Sequence, residues 1–126
     1  MKTWVIALLC FALCILLGLL GHRFLQRSSQ RLSSQINRFD RTVQAHQWQP
    51  AQKHLSALNR QWRKIASIWA VLIHHKEIDN IENALSRLRG AIRGRNYSDA
   101  LMISQELQHF LQHIPQREQF TVINIL

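Results

Sequence analysis

Residues 51–72 read AQKHLSALNRQWRKIASIWAVL, and within them Ala51, Leu55, Leu58, Trp62, Ile65, Trp69 and Leu72 recur at intervals of four, three, four, three, four and three. That spacing draws one apolar stripe down an α-helix, with no run of period two that would suit a strand. Both Trp62 and Trp69 fall in the stripe, so they are read as core residues rather than as platforms for stacking bases.

The neighbouring segments extend the pattern. Upstream, Leu25, Leu32, Ile36, Phe39 and Val43 return every three, four or seven residues, which makes a first helix of the folded body. That helix is expected to stop between 46 and 49, because Pro50 suits the first position of the next helix and disfavours helical geometry before it. Downstream, Ile78, Ile81, Leu85, Leu88 and Ile92 predict a third helix, and Gly94 stands where a left-handed C-terminal stop is expected. Asn96 or Ser98 can cap a fourth helix with Ala100, Ile103, Leu107, Phe110, Leu111 and Ile114 on its apolar face, and Pro115 is expected to end it. Only four glycines and two prolines punctuate the 126 residues, which favours long helices.

The expected helices are therefore near 24–46, 50–73, 77–93 and 97–114. Compared with itself at an offset of 49, the chain matches Trp48 with Tyr97, Ala51 with Ala100, Leu58 with Leu107, Trp62 with Leu111 and Ile65 with Ile114. Tetratricopeptide hairpins also open a helix on an aromatic residue, but they repeat at about 34 residues and need about three copies. The fold class expected is all-α: two helical hairpins forming a small antiparallel bundle over 24–114, with a tail at 115–126. The tail's last seven residues, FTVINIL at 120–126, are apolar and expected to be buried on the bundle or on a partner.

Before the body, residues 3–21 carry no charge, and at the helical rise they measure roughly 28 Å, the thickness of a bilayer's hydrocarbon. Trp4 at one end and His22, Arg23 and Phe24 at the other suit its two interfaces. No small-residue cleavage site follows the run, so it is read as a retained transmembrane anchor over 1–23 rather than a removed signal peptide. Two rules disagree on orientation. The arginines after the span favour a cytoplasmic body, whereas the short basic N-terminus favours a signal anchor with the body outside, and the second reading is the one adopted. Cys10, Cys14 and Gly18, with Ala7 and Gly21 near the ends, make a small-residue stripe that could pair the span with another.

A formal charge of +9, from 16 Lys and Arg against 7 Asp and Glu, points to an anionic partner. Arg23, Arg27 and Arg31 share a face just beyond the span and suit lipid headgroups. The other basic residues are scattered over several helices, which argues against a nucleic-acid surface.

Catalytic patterns are missing: both cysteines lie in the span, and no phosphate-cradling loop or Ser-His-acid grouping occurs. The polar cluster His74, His75, Glu77, Asp79 and Glu82 could hold a metal or act as a pH-sensitive joint, but its acids also suit the start of the third helix. Glu106, His109 and His113 have ligand spacing yet face away from the apolar side.

The span, the stretch 62–72, HHKEIDNIE at 74–82, NYSDA at 96–100 and the closing NIL at 124–126 together resemble the domain of unknown function 4363 family of Gram-positive bacteria. The resemblance implies a small membrane-anchored protein with no assigned activity and no catalytic residues. The expected function is a non-catalytic, membrane-tethered interaction or scaffold module without a cofactor, whose partners are membrane lipid and another membrane or envelope protein or a second copy of itself. The alternatives are a sensor or metal-binding domain built on the 74–82 cluster and, for a cytoplasmic body, nucleic-acid binding.

Overall fold

The computed structural model describes residues 1–125, with side chains through Gln116. Four helices, α1 (Lys2–Gln44), α2 (Trp48–Leu72), α3 (His75–Arg93) and α4 (Tyr97–Ile125), account for the chain, with no strand among the described residues. Short turns join them, so neighbours are antiparallel. Helix α1 packs on α2 and α4, and α3 packs on the same two, so the four helices form a ring in which α1 is diagonal to α3.

The expected apolar positions supply the core. Leu25, Leu32, Ile36, Phe39 and Val43 of α1, Leu55, Leu58, Trp62 and Trp69 of α2, all five predicted residues of α3, and Ala100, Ile103, Leu107, Leu111 and Ile114 of α4 are buried. Complete burial of a single Leu or Ile side chain stabilises by about 1.5–3 kcal/mol. Ile65 and Leu72, at the edge of the α2 seam, are half-buried and pack against this core.

Helix α1 is one unbroken element of 43 residues, roughly 65 Å long. Its residues 1–20 are exposed throughout, while burial begins at Leu25. The apolar run and the first helix of the body are thus a single rod.

The 49-residue offset has a structural counterpart. The turn after α1 places His46 at φ 55°, with the Gln47 N–H donating to the Thr42 carbonyl at 2.9 Å and the His46 N–H to that of Val43 at 2.9 Å. The turn after α3 repeats this with Arg95 at φ 50°, Asn96 N–H donating to Ala91 at 2.9 Å and Arg95 N–H to Ile92 at 3.1 Å. Both are Schellman stops. They lie at one end of the bundle, where the His46 and Tyr97 rings stack with centroids 4.8 Å apart.

The left-handed residue is therefore Arg95 and not Gly94, which keeps a right-handed φ of −82°. Helix α3 needs one more residue before the chain can turn, so the stop falls one position past the glycine. Helix α2 starts at Trp48, ahead of Pro50, because a proline is tolerated anywhere in the first turn, where no N–H has an intrahelical partner. Asn96 rather than Ser98 caps α4: its Oδ1 accepts from the Asp99 N–H at 3.1 Å, and its amide donates to the Asp99 carboxylate at 2.8 Å.

The largest departure from expectation is at Pro115. The helix does not end there but continues to Ile125. A proline has no N–H for the carbonyl four residues back, here that of Leu111. The Ser29 hydroxyl of α1 donates to that carbonyl instead. With the orphan acceptor satisfied from outside, α4 passes through its proline. The expected burial of 120–126 concerns side chains outside the described residues.

Candidate functional site

The end of the bundle opposite the Schellman turns meets the end of the apolar run. A Cβ on Gly21 would lie 2.9 Å from Cδ2 of Leu72, so the last turn of α2 is level with the last residue of that run. Gly21 is thus occupied within the chain, whereas Gly18 has no neighbour within 4 Å, and Cys10 and Cys14 are exposed. In the last two turns of α2, Val71 is 85% exposed and Ile68 46%, two large apolar side chains that a water-facing helix would not favour together.

The run itself has no buried residue in its most apolar window, whose mean hydropathy is 2.8, and it is long and apolar enough to cross a membrane. Its eleven Leu, Ile, Val and Phe residues favour the bilayer by roughly 3–7 kcal/mol in sum on an insertion scale.

Just inside this end, Trp69 is fully buried, and its indole N–H donates to Ser28 Oγ at 2.8 Å, while Ser28 donates to the Phe24 carbonyl at 2.7 Å. Trp62 meets Trp69 edge to face with centroids 5.5 Å apart. A polar ladder joins α1 to α4 along the rest of their contact. Ser104 donates to the Asp40 carboxylate, and the Gln108 amide donates to the Ser33 carbonyl and to Asn37 Oδ1, both at 3.0 Å. Burial raises the Asp40 carboxyl above its ordinary value of 3.8, with the Ser104 bond acting the other way. This ladder was not anticipated. Its trace in the sequence is the recurrence of Ser29, Ser33, Asn37 and Asp40 at four, four and three, a polar stripe beside the apolar one.

Arg23, Arg27, Arg31, Arg38 and Arg41 are all exposed on α1, and at 3.6 residues per turn they fall within an arc of roughly 80°. Residues 1–73 contain ten Lys and Arg against one acid, Asp40, while 74–126 contain six of each. The whole formal charge of +9 therefore belongs to α1 and α2.

The polar cluster does not assemble. His74, His75, Asp79 and Glu82 are exposed, and among the described residues no three of His, Cys, Asp and Glu are placed to share a metal. Helix α3 begins at His75, two residues earlier than expected, so Glu77 takes the first-turn position that the sequence had given to Asp79 and Glu82. The His109 and His113 rings lie 4.0 Å apart, with His113 Nδ1 2.9 Å from the His109 carbonyl, while Glu106 pairs with Arg87 at 2.9 Å.

The arrangement defines a class: a four-helix bundle whose first helix runs on as an exposed apolar rod. The chain belongs to the family described as Domain of unknown function (DUF4363), whose model matches residues 19–125. The match spans the whole bundle and leaves out most of the apolar run. No curated protein and no solved structure matches the chain.

Proposed function

We propose that this chain is a non-catalytic module tethered to a membrane by the first part of α1, with its bundle on the outer side of that membrane, where it engages another membrane or envelope protein. The observation that carries the reading is the division of one helix: residues 1–20 are exposed and apolar, and the same rod becomes core from Leu25 onward. A rigid continuation holds the bundle at a fixed height and angle over the bilayer, which suits a scaffold.

In this placement Val71 and Ile68 reach the interfacial layer, which accounts for their exposure, and Arg23 and Arg27 stand at headgroup height. The apolar tail at 120–126 supplies a second contact for the partner. Copurification from detergent-solubilised membranes, comparing the full chain with one ending at 119, tests the partner reading. Loss of a stoichiometric partner band with the bundle's melting temperature unchanged is expected; equal recovery by both chains removes the tail from the interface.

A further inference from the structure

We propose that the outer face of the α1–α2 hairpin is a binding site for a linear phosphate polymer that stands away from the membrane surface. The first ground is height, and it rests on the membrane reading. If the apolar run ends at the hydrocarbon boundary near Gly21, Arg23 and Arg27 lie within roughly 10 Å of it, but Arg31, Arg38 and Arg41 lie at roughly 15, 25 and 30 Å. The headgroup layer is only about 5–8 Å thick, and screening removes most attraction beyond about 10 Å. Lipid therefore accounts for Arg23 and Arg27 and still reaches Arg31, but it leaves Arg38 and Arg41, at the upper end of the stripe, without an anion.

The second ground is a cleft at that upper end. On the α2 side of α1 it is formed by Arg31, Ser34, Gln35 and Arg38 with Gln61 of α2 and has a volume of about 230 Å³; a separate cleft of about 480 Å³ on the α4 side of α1 has an uncharged lining. No carboxylate enters the α2-side cleft, and Asp40, the one acid of the hairpin, is turned to Ser104 on α4. None of the five lining side chains has a hydrogen bond or ion pair among the described residues. Two guanidinium groups, a hydroxyl and two amide NH2 groups thus line one concavity, with none of these donors bonded elsewhere among the described residues. Guanidinium forks bind phosphate oxygens bidentately.

Lys53, Arg60 and Lys64 extend the positive face along α2, so the site suits a chain of anions rather than one. Trp62 and Trp69 are buried, and no Phe, Tyr or Trp side chain of the described body is exposed, so this face lacks the large aromatic platforms on which bases stack. A phosphate chain without bases fits, and a nucleic acid gains little beyond its phosphates.

The test uses the detergent-solubilised full chain, so that its outcome is independent of membrane orientation. Fluorescent inorganic polyphosphate and oligothymidylate of equal phosphate count are titrated against the wild type, the pair Arg31→Gln/Arg38→Gln, and a pair with the same charge change on α3, Arg89→Gln/Arg93→Gln. All four positions are exposed, so folding is retained and checked by circular dichroism. The expected result is a loss of about tenfold or more for the α1 pair with a salt slope shallower by about 1.4, and about twofold or less for the α3 pair. Equal losses from both pairs, no binding of polyphosphate, or a clear preference for oligothymidylate would each overturn the proposal. Membrane flotation of the same variants reads the tether separately, and loss of flotation with polyphosphate binding intact would fault only the membrane reading.

Discussion

The passage of α4 through Pro115 gives a prediction whose size follows from one hydrogen bond. In wild type the Leu111 carbonyl has no intrahelical donor, because Pro115 lacks the N–H that would reach it, and the Ser29 hydroxyl supplies one. Ser29 and Leu111 are both buried, with Ser29 5% and Leu111 1% exposed. Ser29→Ala therefore strands a buried acceptor, and the expected cost is about 1–3 kcal/mol. In a Pro115→Ala background residue 115 again has an N–H, Leu111 has its ordinary helical donor, and Ser29→Ala should cost only about 0.5 kcal/mol. The double-mutant cycle thus predicts a coupling of about 0.5–2.5 kcal/mol between residues on different helices. Urea unfolding of the full chain in detergent, followed by fluorescence of the buried Trp62 and Trp69, measures all four corners. A Ser29→Ala cost that is the same in both backgrounds would refute the account of how the helix tolerates its proline.

Three further outcomes follow from the same packing. Ser28→Ala removes the acceptor of the buried Trp69 indole N–H and should destabilise by about 1–3 kcal/mol in the same assay. Arg95→Gly, which relieves a non-glycine residue at φ 50°, should stabilise by about 0.5–1 kcal/mol, and Gly94→Ala should be neutral or stabilising by a similar amount; a sharp loss in the second would restore Gly94 as the left-handed stop. Asp40→Asn should stabilise the fold at neutral pH, because the buried carboxyl is raised above 3.8 and the fold disfavours its charge. As pH falls through that raised value the folded chain takes up the proton before the unfolded one does, so the wild type gains on the variant, and the gap should close in melts run down to about pH 3; a gap that widens with acid contradicts this.

The seam of residues 51–72 and its counterparts on the other three helices were legible because each is a strong period of 3.6 with a tertiary partner of the same kind. The 49-residue offset was legible too, and it foreshadowed two matching turns. What the sequence concealed were features decided across helices. Pro115 alone predicts a stop; only the approach of Ser29, 82 positions away in the chain, lets the helix continue. Gly94 alone predicts a left-handed residue, yet the length of α3 moves that conformation to Arg95. Gly21 looked like part of a free stripe with Cys10, Cys14 and Gly18 until Leu72 was found against it.

For the site, composition gave the sign of the charge but not its placement. The arginines of α1 were visible as a face near the span, whereas the cleft at Arg31 and Arg38 depends on Gln61 arriving from α2. The 74–82 cluster reads as a site on paper because its residues are close in sequence, but a helix start there spreads them over exposed faces.

The placement of the bundle depends on the apolar half of α1 lying in a bilayer, and the two cysteines there report on that directly. Cys10 and Cys14 are exposed on the helix surface, so in water both would react with a membrane-impermeant maleimide, and no other thiol competes. The measurement labels intact cells carrying the wild type or Ser98→Cys, a substitution at an exposed position in the first turn of α4. The predicted result is labelling of the Ser98→Cys chain from outside and none of Cys10 and Cys14 until the membranes are dissolved and the protein denatured. Ready labelling of the two native cysteines in intact membranes would contradict the anchor, and with it the placement of the bundle.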